Sequence, residues 1–234
     1  MQKKIVVHMY LKNGKAVTGF DGKELLEDGD VMSIAQHYSN NGADELLIFD
    51  LSDDDADHEQ SLNLIRQISR VIDIPMSGGG HIKNLEDVKK LLYAGCQQVF
   101  LNYAKAANIE LTEEVSKRFG KEKIAICTDS FAQLQANKAR VNEYTSRVIL
   151  LCDEVDVRTT ARLVEVPVLP VSTRADRHGL LKLLMLDNIC GVCGDTFSDL
   201  NEDLMAAKLE AKKHGVEINT FESNMSWNEL KLNS

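Results

Sequence analysis

The residues best suited to chemistry are three consecutive glycines, Gly78, Gly79 and Gly80, followed directly by His81. They lie in "IPMSGGGHIKN", between a short apolar run and a stretch of helical period. Lacking Cβ, glycine admits positive φ and lets a ligand reach main-chain N–H groups. Consecutive N–H groups at a strand-to-helix turn form a concave anion site, so the triplet predicts a bound phosphate group. A tight turn alone needs one glycine, not three. His81 adds an imidazole that could contact the anion or titrate near neutrality; otherwise it is a solvated loop residue.

Two other patterns invite chemistry and lead elsewhere. Cys190-Gly191-Val192-Cys193 has the spacing of a redox pair or half a zinc site. No second closely spaced Cys/His pair exists, so the expectation is a buried strand carrying two small thiols, with no metal and no cofactor. Asp53, Asp54, Asp55 and Asp57 in "DLSDDDADHE" (50–59) resemble a calcium loop, but its glycine and terminal glutamate are missing. That run is expected to be a solvated acidic loop favourable to the following helix dipole.

The elements that position these residues follow from hydrophobic period. Short apolar runs, "KIVVHMY" (4–10), "ELLIFDL" (45–51), "IPMSG" (74–78), "QVFLN" (98–102), "KIAICT" (123–128), "RVILLCD" (147–153), "VPVLPV" (166–171) and "NICGVCG" (188–194), alternate with helix-period stretches. Val31, Ile34, Ala35 and Tyr38 share one helical face, as do Leu62, Ile65, Ile68 and Ile72. Asn84 suits a helix cap and Gly95 a helix stop. Eight such units predict a parallel sheet covered by helices and closed on itself, a (β/α)8 TIM barrel.

A 92-residue offset pairs Pro75 with Pro167 and Lys90-Leu91-Leu92 with Lys182-Leu183-Leu184, as in two fused half-barrels. The same offset sets Gly78-Gly79-Gly80 on Pro170-Val171-Ser172. Pro170 has no N–H and Val171 resists positive φ, so no second backbone cradle is expected. Arg174 and Arg177 could supply charge there instead, or be surface residues.

The chain has 234 residues and a net charge of −9, without a basic stripe, which argues against nucleic acid. No apolar run approaches a membrane span, and the start lacks a signal peptide's apolar segment, so a cytoplasmic protein with no membrane partner is expected. Five cysteines then read as reduced thiols.

"KNGKAVTGF", "GADELLIFDLS", "IPMSGGGHIKNLEDVKKLLYAGCQQVFLN" and "KEKIAICTDS", in that order over roughly residues 3–130, resemble the histidine-biosynthesis half-barrel family. Its members are the cyclase subunit of imidazole glycerol phosphate synthase and phosphoribosylformimino-aminoimidazole-carboxamide ribotide isomerase. The resemblance implies a barrel of the ribulose-phosphate-binding type, a ligand with one phosphate on each half-barrel, and two catalytic aspartates ending strands 1 and 5. It assigns Gly78, Gly79 and Gly80 to the first phosphate loop and Asp129 to the strand-5 acid–base group. Asp50 and Asn102 match pocket-facing positions.

Departures from the family are specific. Tyr10 stands where the strand-1 aspartate belongs, and a phenol of ordinary pKa is no base at neutral pH. Asp153 to Pro167 spans 14 positions against 25 for Asp50 to Pro75, so the strand-6 connection, and with it the second half, is shortened by about eleven. Glu45 persists at the barrel floor, but Gln97-Gln98 replaces an expected charged pair, which puts a glutaminase partner in doubt. The tail "MSWNELKLNS" (225–234) resembles the opening of phosphoribosyl-AMP cyclohydrolase domains, suggesting a barrel over 1–224 followed by a fused cyclohydrolase domain. The expected function is a histidine-biosynthesis-related barrel binding a phosphoribosyl-type ligand through one phosphate loop, without the ancestral isomerase or cyclase activity. The alternatives are an active enzyme, with Asp129 paired to Asp50, Tyr10 or His81, and a purely structural partner domain.

Overall fold

In the computed structural model, which describes residues 1–26 and 30–220, the chain begins with β1 (Lys4–Lys12), β2 (Lys15–Thr18) and β3 (Glu24–Leu25). There follow α1 (Val31–Asn40), β4 (Glu45–Asp50), α2 (Asp55–Ile68), β5 (Met76–Gly79), α3 (Leu85–Tyr93), β6 (Gln98–Asn102) and α4 (Ala106–Phe119). The second half holds β7 (Ile124–Thr128), α5 (Phe131–Ala136), α6 (Lys138–Tyr144), β8 (Arg147–Leu151), α7 (Val157–Leu163), β9 (Val168–Ser172) and α8 (Arg177–Leu183). It ends with β10 (Gly191–Gly194), α9 (Asp195–Ser198) and α10 (Leu204–Lys213). The tail at 225–234, with its suggested link to a cyclohydrolase, lies outside the described residues.

Parallel pairing runs β1-β4-β5-β6-β7-β8-β9-β10, and β10 pairs back to β1, so eight strands close a TIM barrel. Closure gives each strand two buried faces. On β1, Ile5, Val7, Met9 and Leu11 meet the helices. Val6 and Tyr10 point inward, where Leu47, Phe49, Phe100, Ala125, Ile149, Leu169 and Val171 fill the axis. That double burial is why the strands read as apolar runs rather than alternating ones.

The local signals at α3 hold. Asn84 accepts from the N–H groups of Glu86 and Asp87 in a capping box, and Gly95 follows the helix at φ 115°. Three details differ from the sequence expectation. β2 and β3 form an antiparallel hairpin on β1. The helix anticipated after β7 breaks in two at Asn137. The acidic run is solvated only in its first part: Asp53, Asp54 and Asp55 are exposed, with Asp54 capping α2 and Asp55 opening it, whereas Asp57 and His58 are buried.

Candidate functional site

The C-terminal ends of β4, β5 and β6 surround a cleft of about 280 Å³ that includes Asp50, Gly80, His81, Asn102, Lys105 and Asn108 in its lining. The glycines that mark it have packing reasons of their own. A Cβ on Gly78, toward the helices, would lie 2.7 Å from the Cys96 sulfur. On Gly79 it would lie 2.3 Å from the Phe100 ring, and on Gly80 2.0 Å from the Asp50 carbonyl oxygen. What presses so closely on the triplet is therefore protein, and no ligand is needed to explain the missing side chains. Gly80 also turns the chain at φ 119°.

His81 follows in the left-handed region, at φ 52°. Its Nδ1 faces the Ser52 carbonyl at 3.2 Å and its Nε2 the Asp55 carboxylate at 2.7 Å. Hydrogen bonds from Lys83 and His81 hold the Asp55 carboxyl at about 2. Beneath His81 stacks His58, ring centroids 4.8 Å apart. His58 Nδ1 bonds the Asp50 carboxylate, which also accepts from the Ser52 N–H and hydroxyl. Asp50 is thus a buried anchor under the cleft floor, fully engaged by its own neighbours.

Across the cleft, α4 starts at Lys105 without a side-chain cap; the Asn108 N–H turns back to the Lys105 carbonyl at 3.0 Å, leaving the Ala106 and Ala107 amides open at the positive end. Asn102 shapes that start, its Oδ1 accepting from Ala104 N–H at 2.9 Å. The Lys105 ammonium makes no ion pair among the described residues, whereas Lys12 is neutralised by Asp53 at 2.9 Å. Asn108, 2% exposed, donates through Nδ2 to the Asn102 carbonyl, and its Oδ1 receives no hydrogen bond. An uncommitted cation, open amides and an unfilled buried acceptor suit a ligand carrying both an anionic group and a hydroxyl.

Tyr10 and Asp129 lie outside this cleft. Tyr10 is 3% exposed inside the barrel, packed on Phe20 and Phe49 at centroid distances of 4.7 and 5.4 Å. Burial, then the Asp195 charge, pushes its phenol far above the ordinary value, so it is no base. Its hydroxyl has no partner. Tyr10→Phe should therefore raise stability by about 1 kcal/mol in urea denaturation; a loss would show that the hydroxyl is satisfied. Asp129 is exposed just past β7, with β5 and β6 separating it from Asp50.

At the matching end of β9, the chain supplies its own anion. The Asp153 carboxylate accepts the Thr173 N–H at 3.0 Å and both the Ser172 and Thr173 hydroxyls. Burial works against this carboxylate, but those bonds hold it below the usual carboxylate range. Arg174 pairs with Glu154, and Arg177 with Glu202 and Glu210, so neither arginine is uncommitted.

Sequence reasoning passed over Lys105, Asn108 and His58. The signal for His58 was present: it precedes Leu62 by four and Ile65 by seven, the spacing of a buried helical face. Nothing in the spacing marks Lys105 or Asn108. Cys193 is a buried β10 residue, Cys190 lies just before that strand, and all five cysteines are free. Among the described residues no group of three or more His, Cys, Asp or Glu is placed to hold a metal, and no helix is long and apolar enough to cross a membrane.

Comparison with known proteins gives the same lineage. A family model described as "Histidine biosynthesis protein" matches residues 4–187. Imidazole glycerol phosphate synthase subunit HisF of Flavobacterium psychrophilum is 33% identical over 130 residues, 56% of this chain and 52% of that protein. The subunit of the same name from Haemophilus influenzae is 32% identical over 162 residues, 68% of this chain and 60% of that one. That from Helicobacter hepaticus is 34% identical over 132 residues, covering 55% and 51%. The chain spans about half the length of the curated relatives it matches. It belongs to the histidine biosynthesis protein family.

Proposed function

We propose that this barrel binds a phosphoribosyl-type ligand through a single phosphate, held between the Gly80–His81 turn and the start of α4, and that it lacks the ancestral isomerase or cyclase chemistry. The observation that carries this reading is Asp153 on Ser172 and Thr173. A carboxylate fills the place where the second phosphate of the family's ligand is expected, so a two-phosphate substrate meets like charge there. Tyr10 in the strand-1 position adds a second loss. In the retained cleft, Lys105 and the Ala106 and Ala107 amides take the phosphate, and Asn108 Oδ1 accepts a sugar hydroxyl.

The relatives are named as subunits of a synthase, which raises the question of a glutaminase partner for this chain. Here the barrel floor is closed by Arg147, bonded to Glu45 and Ser77, and the axis above is packed with apolar side chains. Ammonia passage through the barrel is not part of the proposed function. One observation favours the active alternative: Asp129 is exposed and makes no hydrogen bond among the described residues, which leaves its carboxylate accessible to a substrate.

Calorimetric titration with ribose 5-phosphate tests the proposal. Binding with one site per chain is expected, weakened at least about tenfold by Lys105→Glu through loss of a charge-assisted bond. Unchanged affinity in that variant, or turnover of the isomerase or cyclase substrate abolished by Asp129→Asn, would overturn it.

A further inference from the structure

A second constellation sits at the β1–β10 seam and is independent of the anion cleft. His8, 4% exposed on the inward face of β1, places Nε2 3.1 Å from Asp195 Oδ1 and Nδ1 3.1 Å from Ser198 Oγ. The His8 main-chain N–H already donates to Ser198 Oγ at 2.9 Å. The serine's own proton is therefore free to point at Nδ1, while Nε2–H points at the carboxylate. That is the hydrogen-bond order of an activated hydroxyl: carboxylate, imidazole, nucleophile. The histidine ring is held by the Tyr10 edge, at a centroid distance of 4.8 Å, and the Ser198 carbonyl by the Tyr38 hydroxyl at 2.6 Å. Cys193 Sγ also lies 3.4 Å from Nδ1, but it is fully buried and burial drives its thiol well above the ordinary range, so it is no competing nucleophile.

Ser198 and Asp195 open on a cavity of about 200 Å³ whose walls include Met9, Val17, Leu26 and Tyr38. This is smaller than the ~300–1,000 Å³ of drug-sized ligand sites, and it mixes apolar walls with one reactive edge.

We propose that Ser198 is a nucleophile for acyl transfer, with His8 as its base and Asp195 orienting the imidazole, and that the substrate is a short-chain carboxylic ester. Ser198 Oγ bonds to the ester carbonyl carbon as its proton passes to His8 Nδ1. The carbon–alkoxide bond then breaks and the leaving oxygen takes that proton. Water, giving its proton to His8, attacks the acyl-serine; the carboxylic acid leaves and Ser198 recovers its proton. One main-chain donor, His8 N–H, lies beside the reacting oxygen.

The test uses the full chain with a fluorophosphonate probe and p-nitrophenyl acetate. A phosphonyl adduct on Ser198, located by peptide mass spectrometry of the wild-type protein, is the expected result. Ester hydrolysis should fall by about 100-fold or more in Ser198→Ala and in Asp195→Asn, the latter because a misoriented imidazole is a poor base. Asp195 is half-exposed, so its variant avoids the unpaired His8 N–H that Ser198→Ala leaves, and circular dichroism checks both. No adduct on Ser198 in folded wild-type protein, or hydrolysis equal to wild type in Asp195→Asn, would overturn the assignment.

Discussion

Replacing Glu45 with alanine is expected to cost about 3–5 kcal/mol of stability, read as a lower urea midpoint at unchanged slope. Glu45 and Arg147 are 3% and 8% exposed, and the guanidinium grips the carboxylate through both terminal nitrogens. Ser77 and Lys4 complete the network, the latter at 3.2 Å. Truncating Glu45 strands a buried cation, and the loss comes from that stranding more than from the pair's own attraction. The double change Glu45→Leu with Arg147→Met should accordingly recover most of it. The same pair sets an acid limit. Burial alone would raise the Glu45 carboxyl, but Arg147 overrides it and holds it at about 2. A carboxyl depressed on folding contributes stability fully present above its unfolded pKa and lost as pH falls through the folded one. The contribution, about 3 kcal/mol, should therefore fade from about pH 4.5 toward pH 2 in the wild type and be missing from Glu45→Ala.

Gly80→Ala should destabilise by a comparable about 3–5 kcal/mol, since its Cβ meets both a rigid carbonyl and a left-handed backbone. The contact would be 2.0 Å to the Asp50 oxygen at φ 119°. Gly215 provides the control. It shares positive φ, at 84°, but has nothing within 4 Å of a Cβ, so its alanine variant should lose only about 1–2 kcal/mol. Equal thermal shifts in the two variants would show that backbone conformation alone matters and that Asp50 yields. For ligand work the consequence is practical. Substitutions in the triplet report on folding first, and Lys105 is the position that separates binding from stability.

The barrel was legible because closure buries both faces of every strand, leaving apolar runs that no solvent-exposed strand would show. The half-barrel offset was legible because Pro75 and Pro167 each immediately precede a strand, β5 and β9, at the same place in its repeat. The hairpin β2–β3 was not, since its strands are only four and two residues long and gain their order by pairing with β1. At the site, the triplet marked the turn that follows β5 but not the protein atoms that pack against it. The Phe100 ring that excludes a side chain at Gly79 lies on the next strand, inside the barrel, and no local pattern reveals it. The same holds for Arg147, which meets its partner 102 residues earlier in the chain. Asp153 was visible only as the end of a strand. Its capture by Ser172 and Thr173 depends on β8 and β9 lying side by side.

The central claim, one anion site kept and the other filled from within, is tested most directly by crystals equilibrated in inorganic phosphate. The account predicts one phosphate per chain, against Lys105 and the first turn of α4, with Asp153 still bonded to Thr173. Phosphate seated on Thr173 with Asp153 displaced, or an empty cleft at Lys105, would contradict it.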